Sequence, residues 1–279
     1  MRRFAKVLTW SLLAACAASA LYLAWLPDVS QLKGKNPSTT AYIELRRRQA
    51  LAKGKKLAVQ WTWVAWDAIS ENLKHAVLTA EDDSFYRHHG VAWDAVRVAL
   101  ERDIAERRLA YGGSTITQQT ARNLYLSPSK NPLRKLKEAL IARKLEKVLG
   151  KRRIFEIYLN IAEWGKGIFG AEAASRAYFG KSASDLSVDE AVALAVVLPS
   201  PRRHDPAKRG RYVDRNSRRI MARMRASGLL TEEEEVGMEE VLVSTAAVAG
   251  SMGAVEGVDL SSATLPDLSL STAAAAPRQ

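Results

Sequence analysis

Twenty residues without a single charge, Val7–Leu26 ("VLTWSLLAACAASALYLAWL"), follow the short basic start "MRRFAK". As an α-helix rising about 1.5 Å per residue, such a run spans roughly 30 Å, the hydrocarbon thickness of a bilayer. A membrane-spanning helix is therefore expected over residues 7–26. Arg2, Arg3 and Lys6 hold the six-residue N-terminal side in the cytoplasm by the positive-inside rule, so everything after Leu26 lies outside. Two processing signals compete with this reading. Ala18–Ala20 spells a signal-peptidase site, and "LAAC" ending at Cys16 resembles a lipoprotein box. Cleavage at either would leave "LYLAWLP" near a new N-terminus, which is unlike a mature secreted or lipidated protein. An uncleaved anchor is the expectation, and all three readings export the rest of the chain.

The exported part is basic. Forty-two Lys and Arg against thirty Asp and Glu give a net charge of +12, a field that attracts nucleic acid, anionic lipid or phosphorylated substrates. The lone cysteine excludes an internal disulfide and a cysteine-based zinc site. Residues 27–58 are polar and rich in Lys, Gly and Ser. The stretch "IELRRRQALAKGKK" there reads as a basic linker in preference to a short helix on the membrane surface. Residues 59–240 carry the folded domain, and 241–279, dominated by Ala, Ser, Gly and Val, read as a disordered tail.

Within the domain the pattern is helical. "VQWTWVAW" is β-prone, and at least one of its Trp side chains is expected in the core. Ser70 caps a helix whose Leu73, Ala76, Val77 and Ala80 recur at i, i+3, i+4, i+7. Val91–Leu109 predicts another, with Trp93, Val96, Val98 and Leu100 apolar. Thr115 and Gln118 form a capping-box pattern, Pro132 opens a long helix to Leu149, and Lys151–Ile161 is a further one. Ser187 and Glu190 cap the run stopped by Pro199. A basic helix covers about 212–226, and "TEEEE" starts a last one. No repeat and no strand series of a doubly wound sheet is present, so the fold class is mostly α.

Chemistry concentrates in three places. In "AEDDSFYRHHG" Glu81 extends the apolar stripe of its helix, whereas Asp82 and Asp83 turn away from it. A carboxyl at the end of a buried face loses solvation, which suits it to acid or base work. His88 and His89 lack the spacing of a metalloprotease pair; His88 suits a hydrogen-bonding loop fixture and His89 an exposed position. "GGSTITQQTARN" offers hydroxyls, amides and Arg122 at a helix start, which is an anion-binding geometry without the Lys of a P-loop. In "LRKLKEALIARKLEKVL" the apolar face runs through Leu133, Leu136, Leu140, Ile141 and Val148. Glu138 lies at its edge, one turn after Arg134. "SPSK" at Ser127–Lys130 matches a penicillin-binding Ser-x-x-Lys motif but lacks the partner motifs and is rejected.

Together, "EDDSFYRHHG", "GGSTITQQ", "RKLKE", "RRIFEIYLN" and "LPSPRRHDP" resemble, in order and spacing, the peptidoglycan glycosyltransferases of family 51, and in particular their monofunctional members. The resemblance implies a lysozyme-like helical domain behind an N-terminal transmembrane helix. It implies polymerisation of lipid II into glycan strands at the outer face of a bacterial cytoplasmic (inner) membrane, by one inversion with release of polyprenyl diphosphate. By the same resemblance Glu81 is the general base for the acceptor 4-hydroxyl, and Glu138 the second catalytic carboxylate, positioning the diphosphate through a metal or through basic neighbours. Arg122, Lys130, Arg134 and Lys135 neutralise the leaving diphosphate, Ser114, Thr115, Gln118 and Gln119 shape the donor site, and Glu156, Tyr158 and Asn160 support the fold. No cofactor is required, with room for a divalent cation (Mg or Mn). Implied partners are lipid II, the growing lipid-linked chain, the membrane and other cell-wall synthases. Many relatives carry Lys at Arg122 and Arg at Lys130, which changes fork geometry while keeping charge. Two rivals remain: a lysozyme-like lytic hydrolase, and a tethered polyanion binder indifferent to Glu81. The reading includes no nucleic-acid partner.

Overall fold

The computed structural model describes residues 2–105, 113–129, 131–208 and 210–230. The expected helix from Thr231 and the tail 241–279 fall outside the described residues. In chain order come α1 (Arg2–Ala24), α2 (Ala41–Leu51), β1 (Gln60–Trp61), α3 (Glu71–Glu81), α4 (Trp93–Ala105), α5 (Ile116–Tyr125) and α6 (Pro132–Val148). They are followed by α7 (Lys151–Ile161), β2 (Glu163–Gly165), β3 (Ile168–Phe169), α8 (Ala171–Phe179), α9 (Val188–Val197) and α10 (Arg211–Ala226).

The centre is α9. Its sequence "VDEAVALAVV" is apolar on nearly every side, as a helix buried all round must be, and Val188 and Ala191–Val197 are buried. The Ser187 hydroxyl accepts from Glu190 N while the Glu190 carboxylate accepts from Ser187 N, a reciprocal cap that fixes where the helix starts. Against α9 pack α3, through Leu73, Ala76 and Val77, and α10, through Val213, Ile220, Met221 and Met224. α5 bridges α6 and α7 on the other flank. The small sheet runs β1-β3-β2, with β1 parallel and β2 antiparallel to β3. Gly167 closes it at φ +81°, where a Cβ would lie 2.5 Å from the Ala58 carbonyl, so only glycine fits. Asn160 ties this sheet region to α7: its side chain accepts from Val64 N and donates to Val64 O, and its carbonyl accepts from Trp61 Nε1.

Three expectations are corrected. The stretch read as a linker is the helix α2, started by the Thr40 hydroxyl accepting from Ile43 N and held by Arg46 on Glu163. On α6 the buried residues are Lys137, Glu138, Ile141, Ala142 and Leu145, whereas Leu133 and Leu136 are 38% and 49% exposed. That helix is turned so that charged residues with internal partners face inward. On α4, Trp93 and Val98 are exposed and Val96 is half-buried, so the apolar residues marked there do not form one buried face.

α1 buries no residue of its apolar stretch in the domain: Lys6–Ala24, 19 residues of mean hydropathy 1.8, stays largely uncovered. Only its end is held. Lys137 Nζ donates to Tyr22 O (2.7 Å) from above the Tyr22 ring, 3.9 Å from its centroid, and Lys144 Nζ donates to Pro27 O (2.7 Å).

Candidate active site

Glu81 is the last residue of α3. Its position is set by the residue after it: the buried Asp82 carboxylate accepts from Ile116 N at the first turn of α5 (3.0 Å) and meets His88 Nε2 at 2.9 Å. Gly90 N donates to His88 Nδ1, so the proton lies on Nε2 and is given to Asp82. Asp82, expected only to turn away from the apolar stripe of its helix, is thus the clamp between α3 and α5. Asp83 does turn outward and pairs with Arg223 of α10 (3.0 Å). His88 is the loop fixture expected of it, and His89 is exposed.

With α3 and α5 clamped, Glu81 faces Gln119. Gln119 Nε2 donates to Glu81 Oε2 (2.7 Å), and Gln119 Oε1 accepts from the buried Tyr158 hydroxyl (3.2 Å). Tyr158 therefore fixes which way the amide points. Loss of hydration raises the Glu81 carboxyl above its ordinary value of 4.5; the Gln119 hydrogen bond and the Arg122 charge oppose that rise without cancelling it. Burial keeps the Tyr158 phenol well above 10, hence neutral and able to donate.

A cleft of about 1040 Å³ opens over these groups. Glu81, Ser114, Gln119 and Arg122 line one side, and Arg202 and Arg203 of "LPSPRR" line the other. The Arg122 Nε is buried without a hydrogen-bond partner among the described residues, a donor left for something in the cleft. Ser114 also receives Lys135 Nζ (2.5 Å), which links the cleft to α6. There Glu138 is fully buried, with one oxygen on Lys135 Nζ and the other on Arg134 NH1. Arg134 Nε donates to Ser129 O (2.6 Å), and the residue reaches a second cavity of about 410 Å³ lined by Tyr22 and Trp25 at the end of α1.

The predicted site residues therefore divide. Glu81, Ser114, Gln119 and Arg122 share the cleft; Lys135, Arg134 and Glu138 adjoin it through Ser114. Thr115 and Gln118 are buried in the α5 capping box, where the Thr115 hydroxyl also donates to Gly90 O (2.7 Å), so their polar atoms serve the helix start. Lys130 lies outside the described residues. Sequence reasoning missed Arg46, Glu163, Arg202 and Arg203, all on the cleft wall. The double Arg after Pro201 was a visible signal; Arg46 was hidden by the linker reading.

No three His, Cys, Asp or Glu side chains converge among the described residues. Both oxygens of Glu138 are taken by cations. This donor set does not fit a divalent ion held by the protein.

A family model described as transglycosylase matches residues 48–225. The chain is 50% identical over 189 residues to the biosynthetic peptidoglycan transglycosylase of Aromatoleum aromaticum, covering 68% of this chain and 82% of that one. It is 45% identical over 194 residues to the protein of that name from Nitrosospira multiformis, covering 70% and 84%. With the one from Chromobacterium violaceum it shares 42% over 220 residues, covering 78% and 96%.

Proposed function

The chain belongs to the transglycosylase family, and on that premise we propose that Glu81 is the base of a glycan-polymerising reaction whose leaving group is neutralised by Arg122, Arg134 and Lys135. The protein is a peptidoglycan glycosyltransferase of lysozyme-like, mostly helical fold, and it polymerises glycan strands. The observation that carries the residue assignment is a single desolvated carboxylate, held by Gln119, in one cleft with Arg122, whose buried Nε has no hydrogen-bond partner among the described residues.

Glu81 accepts the proton of the acceptor's 4-hydroxyl as that oxygen attacks C1 of the donor, inverting the anomeric carbon once. The bond from C1 to the diphosphate breaks, and the electron pair leaves with the diphosphate. Arg122 and Lys135 stabilise that charge where it gathers. Glu138 holds Arg134 and Lys135 in place and is a positioning residue. A lytic hydrolase would need an acid to protonate the departing sugar oxygen. Both oxygens of Glu138 are turned to Arg134 and Lys135, so neither is presented to a sugar oxygen in the cleft. No metal ion is required by this scheme.

The substrate is lipid II together with the growing lipid-linked chain. The 410 Å³ cavity between Arg134 and the α1 end suits the first units of a polyprenyl tail, with its diphosphate at head-group level. On this reading α1 is a single-pass anchor in a bacterial inner membrane and the domain is periplasmic, where it meets other cell-wall synthases. The test is incubation of the detergent-solubilised protein with labelled lipid II and sizing of the products on a gel. Wild type makes polymer and Glu81→Gln makes none; polymer from that variant would overturn the base assignment.

A further inference from the structure

A third cavity, of about 640 Å³, adjoins the catalytic cleft and has no part in the chemistry above. Six cations line it: Arg46, Lys53, Lys55, Lys56, Lys166 and Arg202. Its one acid, Glu163, is buried and already taken by Arg46 Nη2 (2.6 Å) and Nε (2.9 Å), with Arg202 at 3.9 Å. That leaves a concave surface with several uncompensated positive charges, a poor place for apolar or cationic ligands and a good one for carboxylates. Arg46, Glu163 and Arg202 line both this cavity and the cleft holding Glu81, so the two form one continuous surface.

The direction of the cavity decides what it meets. On α2, Ala41, Leu45 and Arg48 face the cavity at the end of α1, whereas Arg46, Gln49 and Ala50 face the basic one. At about 100° of helix per residue these sets are centred roughly 125° apart, on different flanks of the helix. The basic cavity therefore opens on a different flank of α2 from the cavity at the end of α1, while it adjoins the cleft over Glu81. Glycan units of a peptidoglycan carry peptides, and those peptides end in carboxylates.

We propose that this basin binds the acidic peptide borne by the sugar substrate, gripping its carboxylates while the saccharide lies over Glu81. The inference rests on the glycosyl-transfer reading, and it gives the lysines of the segment once read as a linker a role in substrate recognition. The peptide grip sets the lateral register of the sugar, through contacts remote from the reacting bond.

The test is calorimetric binding of a soluble disaccharide–peptide fragment, without lipid or diphosphate, to the full-length protein in detergent. Amidating the fragment's carboxyl groups is expected to weaken binding about tenfold, and Lys53→Gln/Lys55→Gln/Lys56→Gln to weaken binding of the unmodified fragment to a similar degree. Removing the same charge elsewhere, by Arg215→Gln/Arg218→Gln/Arg219→Gln on the exposed face of α10, is expected to change it by less than about twofold. Thermal melts check that each triple variant folds. Equal affinity for the acid and amidated fragments overturns the proposal. So does a lysine triple variant that binds the fragment normally but loses binding to phosphatidylglycerol vesicles, since the cavity would then serve lipid head groups. The binding arms need no turnover, so their outcome is independent of whether lipid II is polymerised.

Discussion

At the scale of single residues the site is an exercise in keeping a carboxylate reactive without leaving it stranded. Glu81 is desolvated at a helix end, and one amide and one guanidinium hold its charged form within reach. The base proposed at Glu81 would have to be ionised to work, so on that proposal the acid limb of kcat/KM is expected above 4.5, in the direction of the raised carboxyl. Gln119→Leu removes a contact that favours the carboxylate, and should move that limb further up while lowering the rate; a limb that stays put would sever the link between Gln119 and Glu81. The sign for stability is opposite to that of a salt-bridged acid. A carboxyl raised in the folded state contributes stability that is present below its unfolded value and lost as pH rises through the folded one. Glu81→Gln, which cannot ionise, should therefore melt no lower than wild type at pH 7 while being inactive, and a calorimetric scan checks it. Glu138 behaves differently because it is fully buried between two cations. Glu138→Gln leaves the mostly buried Arg134 without its counter-charge, and should cost about 3 kcal/mol, the low end for a broken buried pair because Lys135 is 43% exposed. An unchanged melting temperature would show that Arg134 finds another partner.

At the scale of elements, the active site exists because α3 ends where α5 begins. Asp82 makes that junction by accepting from Ile116 N, 34 residues away, and from His88. Asp82→Ala leaves a buried N–H and an imidazole unpaired, a loss of about 1–3 kcal/mol. Because the neighbouring Glu81 then loses its aim, kcat should fall further than stability alone explains; a stable but fully active variant would refute the clamp. The same junction shows what a sequence reading reaches and where it stops. The caps at Ser70, Thr115 and Ser187 were legible because each acts within three residues of chain. Asp82 was not, because its partner is distant in sequence and its composition marks it as surface. α2 was missed for a related reason. In "AYIELRRRQAL" only Ile43 is buried, so no apolar stripe announces the helix, and Arg46 is tied down by Glu163, 117 residues on. The wrong face was assigned to α6 because Lys137 and Glu138 count as polar by type, yet each is buried with a partner that the linear pattern does not display.

At the scale of the whole molecule, the proposed anchor raises the question of how the cleft would be set at the correct height over a bilayer. Lys137 lies one helical turn past Arg134 on α6, nearly buried and drained of some basicity by desolvation. It holds the last turn of α1 through Tyr22 O and the Tyr22 ring, and Lys144 holds the chain again at Pro27. The same helix thus carries the cations that would meet the proposed diphosphate and the contacts that locate α1. If that coupling sets the height of the cleft, loosening it should weaken capture of a substrate confined to the bilayer while leaving capture of a soluble one alone. Lys137→Met/Lys144→Met is expected to lower polymerisation of lipid II in vesicles on the order of tenfold, because a small misplacement of a positioned group is costly. Affinity for a soluble disaccharide–peptide fragment should be unchanged, since the cleft over Glu81 and the basic cavity beyond it lie away from these contacts. Equal loss in both assays would mean that the two lysines support the fold in general, and no loss in vesicles would mean that the membrane helix acts only as a tether.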